Sequence, residues 1–535
     1  MTQQTVTEAM VARLADAGVR HMFGVPGGEC NLDFIDACDK LGVRFVLTRT
    51  ETSAAMMACV ASELTGTPGV AMTTRGPGLA AAANGVAYAD LDRAALLLIA
   101  DGYEDDQSWI SHQRIDQVGL LAPMLRASST LRGADPLEEL EWLLVAAQGH
   151  CPGPAYLEVA GSFIRKPSPP APVRQDPPAL PVPNAAALED AKTLLATARR
   201  PLVLAGLQAR RPEAAAALRQ FVADTGCPVL MTYKAKGVMS EHEPLGLGMY
   251  AGGVAEEPLM ASADLILLYG FDPVEGPPQP WRYGAVRSIE LTNHAFAHRL
   301  IDPAVSVVGD ISESLAGLTS SANSSGWDAG ELAAAKEHLF TAALVPSGPG
   351  IAPHELVQAA MAAMPGNTRI TIDAGAHMLP VLHLWRCAEP NQSLISRGLS
   401  TMGFAVPAAV AAAITDPDRT TVAFTGDGGI MMCLGELGTA VQQGCAPIVV
   451  VFNDSALTLI GAKQKRRQLA AAGVDFSRTN FAEIAAGFGW NSHRVDEAAD
   501  LPAAFADALA SGRPTLIDVT INPDAYDAQI LAIRG

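Results

Sequence analysis

Two acidic residues follow two apolar runs in the last third of the sequence. Asp427 lies in the turn Gly426–Gly429, which ends the run TVAFTGDGG, and Asp454 comes directly after the run PIVVVFN. Glycines let backbone amides approach a ligand closely, and a helix that starts behind them favours phosphate. If both runs are adjacent parallel strands, the two carboxylates meet at one sheet edge. With a main-chain carbonyl and phosphate oxygens they would form an oxygen shell suited to Mg²⁺.

The tripeptide Gly-Asp-Gly alone has a second interpretation, which is a turn with a capping aspartate. Short glycine motifs recur by chance, so this alternative carries weight for the tripeptide. The joint pattern is more specific, because it comprises a strand, the GDGG turn, a helix, a second strand and the pair Asn453-Asp454.

The elements that position these residues are predicted from a repeated rhythm of short apolar runs and Ala-rich stretches. Runs of strand length include GVAMTT and ALLLIA, then PLVLAG, PVLMTY and DLILLYG, and finally RITID, TVAFTG, PIVVVF and TLIDVT. Strands that are apolar on both faces and alternate with helices indicate parallel sheets covered by helices. We therefore predict three α/β domains, each a doubly wound parallel sheet, with ligands at the carboxyl ends of the strands.

Two breaks divide the 535 residues. The first is the run IRKPSPPAPVRQDPPALPVP at 164–183, whose prolines exclude a helix or a central strand. The second begins with SSANSSG near Ser320 and continues with VPSGPGIAP from Val345. The predicted domains are residues 1–165, 185–320 and 350–535, each of ordinary size.

The composition limits the classes of partner. A formal net charge of -19 disfavours both nucleic acid and anionic membranes, because like charges repel. No apolar stretch reaches the roughly 20 residues that a membrane helix needs. The start of the chain is predicted to be an amphipathic helix with a Thr cap rather than a signal peptide. The eight cysteines form no C-x-x-C pair, which favours reduced thiols and a cytoplasmic protein over a zinc site or disulfides.

A Gly-Asp-Gly followed 27 residues later by Asn-Asp resembles the cofactor motif of thiamine-diphosphate enzymes. The resemblance implies that Asp427 and Asp454 bind Mg²⁺ through their side chains and Ala456 through its carbonyl. The acid at position 454 looks like the variant in FAD-free, catabolic-type acetolactate synthases. DAGAHM resembles the second diphosphate loop of the family, with Ala376 and His377. His377 could equally be a loop histidine with satisfied hydrogen bonds.

The resemblance also implies how the cofactor is activated. Glu51 would hydrogen-bond N1′ of the aminopyrimidine and so promote removal of the C2 proton. Met402 would be the apolar wedge that bends the cofactor, and the Ser400 carbonyl and Met402 amide would pair with the pyrimidine. Without the family, Glu51 would stabilise the first turn of a helix capped by Thr50 or Thr48. Met402 would then be ordinary core packing.

Other segments bear on the substrate. SHQRIDQVGLLAPM resembles the acetolactate synthase segment that places a glutamine, here Gln113, near the substrate. His112 and the loop Pro26–Gly28 would line the same pocket. LLYGFDPVEGPPQPW lacks the Arg-Phe-Asp-Asp-Arg run of FAD-dependent members, so no FAD is expected. Thr50 replaces the histidine that most relatives carry before the glutamate, which leaves the substrate open.

The implied activity is decarboxylation of a pyruvate-like 2-oxo acid, followed by ligation to a second carbonyl. The enzyme would thus be a lyase or transferase. The family implies a homodimer or homotetramer with active sites between subunits. A simple decarboxylase that releases an aldehyde, and a degenerate paralogue that only binds the cofactor, remain alternatives. A nicotinamide dehydrogenase is disfavoured, because no G-x-G-x-x-G follows an early strand.

Overall fold

The structure, a computed structural model, describes residues 4–131, 135–170, 172–277 and 279–535. The chain forms two compact units. The first comprises residues 1–179, 406–418 and 432–447, and the second comprises residues 180–405, 419–431 and 448–535.

Strands occur at every apolar run singled out in the sequence. Their bounds are β1 His21–Val25, β2 Arg44–Leu47, β3 Gly69–Thr73, β4 Leu96–Asp101, β5 Ala127–Thr130, β6 Pro154–Val159, β7 Pro201–Ala205, β8 Val229–Met231, β9 Gly246–Met249, β10 Leu265–Tyr269, β11 Arg287–Thr292, β12 Val305–Val308, β13 Arg369–Ile372, β14 Ser393–Ile395, β15 Thr421–Gly426, β16 Ile448–Asn453, β17 Asn491–Val495 and β18 Thr515–Thr520.

Helices connect most of these strands. The α-helices are α1 Val6–Asp16, α2 Cys30–Leu41, α3 Glu51–Thr65, α4 Pro77–Leu91, α5 Gln117–Leu121, α6 Pro136–Ala147, α7 Gly161–Ile164, α8 Ala185–Ala196, α9 Pro212–Thr225, α10 Glu257–Ser262, α11 Ile311–Thr319, α12 Ala329–Thr341, α13 Pro353–Ala363, α14 Met378–Leu384, α15 Ala405–Thr415, α16 Asp427–Met431, α17 Glu436–Gln443, α18 Thr458–Arg466, α19 Phe481–Gly487, α20 Leu501–Ala510 and α21 Asp524–Arg534. Short 3-10 helices occur at Asp105–Gln107, Leu207–Arg210, Pro273–Glu275 and Ala498–Asp500.

The first unit contains one parallel six-stranded sheet with the order β2-β1-β3-β4-β6-β5. Strands β3 and β4 are buried along their whole length, which explains why both are apolar on both faces. Helix α1 begins with a capping box: the Thr5 side chain accepts the amide of Glu8, and the Glu8 carboxylate accepts the amide of Thr5. The predicted Thr-capped helix is therefore confirmed.

The second unit contains two parallel six-stranded sheets. The central sheet has the order β12-β11-β10-β7-β8-β9, and the C-terminal sheet has the order β14-β13-β15-β16-β18-β17. Three doubly wound parallel sheets confirm the predicted fold class. The limits proposed for the three domains, at 1–165, 185–320 and 350–535, stay a prediction.

The proline-rich run at 164–183 separates the first sheet from the central sheet along the chain. Its described residues lie outside regular strands, and only Ile164 belongs to a helix. An isolated bridge joins Pro167 to Thr5. Within the parts of the chain that the structure describes, no helix has both the length and the apolar character needed to cross a membrane.

A buried ion pair lies between β8 and β9 of the central sheet and contacts the C-terminal part of the second unit through Cys387. The Lys236 ammonium donates to both carboxylate oxygens of Glu241, at 2.6 and 2.7 Å, and both side chains are 1% exposed or less. Glu241 also accepts the amide of Cys387 at 2.7 Å. Removal of one partner leaves a buried charge without compensation, which costs more than the pair itself contributes.

We predict that Lys236→Met lowers the free energy of unfolding by about 3–5 kcal/mol, because Glu241 then remains buried and unpaired. Urea denaturation measures the loss. The matched control is Lys40→Met on α2, whose ion pair with Asp36 is exposed to solvent, and no measurable change is expected there. Equal losses in the two variants would contradict this account.

Candidate active site

A cavity of about 530 Å³ lies in the second unit, where β13, β15 and β16 end. This volume is within the range typical of ligand sites. The cavity brings together the site residues predicted in the last third of the chain: Ala376, His377, Ser400, Met402, Gly426, Asp427, Gly428, Gly429, Asp454 and Ala456.

The register of the sheet explains why the two acidic residues meet. Strands β15 and β16 pair in parallel, and Gly426 is level with Phe452, so Asp427 and Asp454 follow neighbouring strand ends. Asp427 is 5% exposed. Its Oδ1 accepts the amide of Gly428 at 2.7 Å, whereas Oδ2 is buried and has no hydrogen-bond partner among the described residues.

Electrostatics at this edge favour a cation. Burial raises the pKa of Asp427. Burial also raises the pKa of Asp454, and the charge of Asp427 raises it further. A cation between the two carboxylates would offset both effects, so these residues fit a metal ion. No cluster of three or more His, Cys, Asp or Glu side chains suited to a metal occurs in the described ranges. The remaining ligands would therefore be carbonyl and phosphate oxygens, which suits Mg²⁺.

The glycine turn is required by close packing. A Cβ at Gly429 would lie 2.2 Å from Asp373 Oδ2, and a Cβ at Gly428 would lie 3.2 Å from Met402 Cε. Side chains at these positions would clash, so the glycines let the turn approach the end of β13 and the Met402 loop. The Gly428 amide donates to Asp427 Oδ1 within this turn, so the turn also holds the carboxylate in place.

Asp373 is a site residue that the sequence interpretation missed. It is fully buried at the end of β13 and accepts the amides of Phe404 and Ala405, at 2.7 and 2.8 Å. Its second oxygen accepts the Thr425 hydroxyl at 2.6 Å. Asp373 therefore fixes the loop that carries Met402 to β15. An acid at the end of the apolar run RITID was the available signal.

His377 forms part of the cavity wall as a neutral imidazole. It stacks on Phe452, with ring centroids 5.3 Å apart. Burial lowers the pKa of His377 to about 4. Its Nε2 is buried without a hydrogen-bond partner among the described residues. The ring can therefore exchange a hydrogen bond with a ligand in the cavity, which a histidine with both nitrogens satisfied could not do.

The loop before α15 places Ser400 and Met402. Ser400 has φ 53°, a left-handed conformation that is uncommon for serine. Its hydroxyl donates to the Arg397 carbonyl at 3.0 Å, which supports this turn. Met402 is half-buried beside the glycine turn, so it borders the cavity rather than the core.

Glu51 and Gln113 belong to the first unit, where both lie near the start of α4. Glu51 is the first residue of α3, and Thr50 is its N-cap, with Oγ1 accepting the amide of Ser53 at 3.1 Å. Glu51 is half-buried, and burial raises the pKa of its carboxyl. Its Oε1 lies 3.0 Å from the position of a Cβ at Gly78, so a larger residue at Gly78 would crowd it.

Gln113 packs against Gly76, the N-cap residue of α4. Gln113 has φ 59°, and its carbonyl would lie 2.5 Å from a Cβ at Gly76. The buried Gln117, which the sequence interpretation did not single out, accepts the Gly76 amide at 2.9 Å and donates to Glu158 at 2.8 Å. Gln117 thus holds the Gln113 segment against the start of α4.

The predicted Pro26–Gly28 loop is anchored in the same unit. The Gly27 amide donates to Asn31 Oδ1 at 2.7 Å, and Asn31 Nδ2 donates to Asp101 Oδ1 at 3.0 Å. His112 contributes only its carbonyl to a described hydrogen bond, which it accepts from the Tyr103 hydroxyl. The described contacts therefore give the His112 side chain no specific role.

Models of known protein families match three successive parts of the chain. Three family models of thiamine pyrophosphate enzymes match: the N-terminal TPP binding domain over residues 4–120, the central domain over 188–318 and the C-terminal TPP binding domain over 373–519. Together they cover more than half of the chain. The protein therefore belongs to the thiamine pyrophosphate enzymes, and the resemblance inferred from the GDGG and Asn-Asp motifs is confirmed.

Individual proteins are also similar to this chain in sequence. The chain is 28% identical to an acetolactate synthase of Bacillus subtilis, over 96% of this chain and 93% of the relative. It is 25% identical to a catabolic acetolactate synthase of Raoultella terrigena, over 96% and 94% of the two chains. A pyruvate oxidase of Lactiplantibacillus plantarum is 27% identical, over 98% and 90%. The similarity extends over nearly the full length in each case.

We predict that Asp454→Ala weakens Mg²⁺-dependent binding of thiamine diphosphate roughly tenfold or more. Loss of a residue that only supports a metal ligand already lowers metal affinity by about tenfold to a hundredfold. Calorimetry with Mg²⁺, compared with titrations in a chelator, measures the loss. The control is Asp418→Ala, an exposed carboxylate between α15 and β15. Unaltered affinity in Asp454→Ala would show that this residue is not a ligand.

Proposed function

We propose that this protein decarboxylates a pyruvate-like 2-oxo acid and joins the product to a second carbonyl, as an acetolactate synthase does. One observation carries the proposal. A chain of the thiamine pyrophosphate enzymes keeps the buried Asp427 and the half-buried Asp454 beside a cavity, and one Asp427 oxygen has no partner among the described residues. A chain that no longer bound the cofactor would have no need of this costly arrangement of like charges.

The carboxylates of Asp427 and Asp454 and the carbonyl of Ala456 would hold Mg²⁺. The amides of the turn Gly426–Gly429, with Ala376 and His377, would bind the diphosphate. When bound, thiamine diphosphate supplies a thiazolium that accepts the electron pair released with CO₂. Asp427 Oδ2 and His377 Nε2 support these assignments, because both atoms are buried without a hydrogen-bond partner among the described residues and both side chains line the cavity.

Met402 and Ser400 would orient the reactive part of the cofactor. Met402 lies against the glycine turn, where an apolar side chain excludes water and supports a bent ligand. The Ser400 carbonyl and the Met402 amide would pair with the pyrimidine. The left-handed turn at Ser400 and the anchor at Asp373 support a rigid loop for this purpose.

Glu51 would act on the cofactor of a second copy of this chain, so that the working unit is a homodimer or homotetramer. Its role is to hold a proton at N1′ of the aminopyrimidine. A carboxyl that is half-buried and whose pKa is raised by burial suits proton sharing better than a solvated one. Gln113, which packs against Gly76 at the start of α4, would contact the substrate.

The protein would work without FAD, as a cytoplasmic enzyme on small molecules. In a doubly wound sheet, a dinucleotide occupies the crevice where the strand order reverses, here between β7 and β10. Gln208 and Glu275 fill that crevice: Gln208 donates to the Thr292 hydroxyl at 3.1 Å, and Glu275 accepts the Leu207 amide at 2.6 Å. These buried contacts support the absence of a flavin.

Product analysis tests the proposed reaction. We expect the protein with thiamine diphosphate, Mg²⁺ and pyruvate to release CO₂ and form 2-acetolactate, identified by mass spectrometry. Acetaldehyde without a ligated product would replace the proposal with a simple decarboxylase. No turnover across a broad panel of 2-oxo acids would indicate a paralogue that only binds the cofactor.

We predict that Glu51→Gln leaves cofactor affinity nearly unchanged and lowers kcat by about a hundredfold or more, because proton transfer at N1′ is lost. Calorimetry and steady-state kinetics give the two values. The control is Glu138→Gln, which removes a first-turn glutamate from α6. If both variants kept full activity and lost similar stability, Glu51 would be a helix-stabilising residue only.

Mixing two inactive variants tests the subunit arrangement. A dimer of Glu51→Gln with Asp454→Ala contains one intact site only if the two residues act across the interface. After unfolding and joint refolding, we expect about a quarter of the wild-type activity from a two-fold symmetric dimer. A mixture that stays inactive would place both residues in the same subunit's site.

A further inference from the structure

The cavity of the second unit contains a cationic region in addition to its paired carboxylates. Four basic side chains line it, namely Arg397, Lys463, Arg466 and Arg534. This concentration is unexpected in a chain with a net charge of -19. Arg397 and Arg534 are half-buried, whereas Lys463 and Arg466 are exposed to solvent. Half-burying two cations beside one cavity is unfavourable unless an anion compensates them.

Arg534 is held rigidly at the end of α21. The amides of Val254 and Ala255 both donate to the Ile533 carbonyl, at 3.0 and 3.3 Å, which fastens the last turn of the helix. Arg534 Nη2 donates to the Tyr233 hydroxyl at 3.0 Å, and Tyr233 is 2% exposed. Arg534 Nε is buried and has no acceptor among the described residues. A guanidinium that is held by a buried hydroxyl and lines a cavity is well placed to bind an anion.

A second guanidinium shares the same tyrosine. Arg397 lies over the Tyr233 ring, with its Cζ 4.8 Å from the ring centroid. Its Nη2 donates to the carbonyls of Glu275 and Gly276, at 2.9 and 3.1 Å, which sets its orientation. Both arginines are thus positioned by one buried ring and both line the cavity.

His383 lies near Arg534 and is uncharged. His383 is fully buried, and its Nδ1 is 2.9 Å from the Leu379 carbonyl. Burial lowers the pKa of His383 to about 4, and the charges of Lys236 and Arg534 lower it further. His383 therefore provides no charge to compensate Arg534, which lines the cavity.

We infer that Arg534, with Arg397 beside it, binds the carboxylate of the 2-oxo acid. This inference rests on the proposed function and deepens it, since it makes a free carboxylate a requirement for the substrate. A guanidinium matches a carboxylate through two parallel hydrogen bonds, and both Arg534 and Arg397 line the cavity. Aldehydes and esters would lack this interaction.

The cofactor's diphosphate is the other anion that could occupy this region. The arginines are positioned by Tyr233, which follows β8 of the central sheet, and by the 252–255 turn. The residues proposed to hold the diphosphate lie instead at the ends of β13 and β15, where a bound metal and backbone amides would compensate its charge. A separate carboxylate therefore accounts better for Arg534.

Oxamate, an unreactive analogue of a 2-oxo acid, tests the subsite in the protein loaded with thiamine diphosphate and Mg²⁺. Calorimetry should show that Arg534→Met weakens oxamate binding roughly tenfold or more, because a hydrogen bond to a charged group is lost. Arg534→Lys should restore part of the affinity, as it keeps the charge without the planar fork. Neutral ethyl oxamate should not distinguish the three proteins.

Two further variants separate a local loss of oxamate binding from poor folding. Tyr233→Phe removes only the hydroxyl that holds Arg534, and it should weaken oxamate binding less than Arg534→Met does. It still tests the subsite if Arg534→Met folds poorly. Lys465→Met on α18 is the matched control, because Lys465 pairs with Asp527 and does not line the cavity. It should bind oxamate like the wild type.

The outcomes separate this inference from the proposed function. Wild-type oxamate affinity in Arg534→Met, or a loss confined to thiamine diphosphate affinity, would overturn the subsite even if pyruvate is converted. A wild-type protein that binds no oxamate would overturn it too. Arg534-dependent oxamate binding without turnover of any 2-oxo acid would support the subsite and reject the proposed reaction.

Discussion

Two neighbouring carboxylates at one sheet edge, Asp427 buried and Asp454 half-buried, are the interaction on which the site depends. They follow the ends of β15 and β16, where burial disfavours the ionised form of each, and the charge of Asp427 adds to this effect at Asp454. A cation or a proton close to both would relieve this cost. The glycine turn packs closely against Asp373, and Asp373 anchors the Met402 loop, so these contacts fix the surroundings of the two acids.

Burial has opposite uses in the two units. At Asp427 and Asp454 it raises the pKa of two neighbouring carboxyls, which can bind a metal only when ionised. At Glu51 it raises the pKa of an isolated carboxyl, which favours a proton shared with a neighbouring base. Chains with identical acid counts could therefore differ completely in chemistry, since the surroundings decide whether a carboxyl binds a metal or exchanges a proton.

The central sheet contributes part of the cavity wall. Tyr233, just beyond β8, holds Arg534 through its hydroxyl and packs against the Arg397 guanidinium. Both contacts come from a loop that follows a strand, where doubly wound sheets place their ligand contacts. The C-terminal helix α21 completes this wall, because its last carbonyl is fastened to the 252–255 turn.

The sequence by itself determined the three parallel sheets and the residues that end their strands. Apolar runs and the adjacent GDGG, Asn-Asp and DAGAHM motifs are local patterns, and parallel strands bring such ends to one edge. Only the tertiary structure decided which distant residues meet: Asp373 with the Met402 loop, Gln117 with Gly76, and Arg534 with Tyr233, 301 positions apart. The predicted domain limits and the reach of Glu51 to a second copy stay predictions. Local patterns follow from backbone geometry, whereas long-range contacts follow from packing, which no short stretch of sequence encodes.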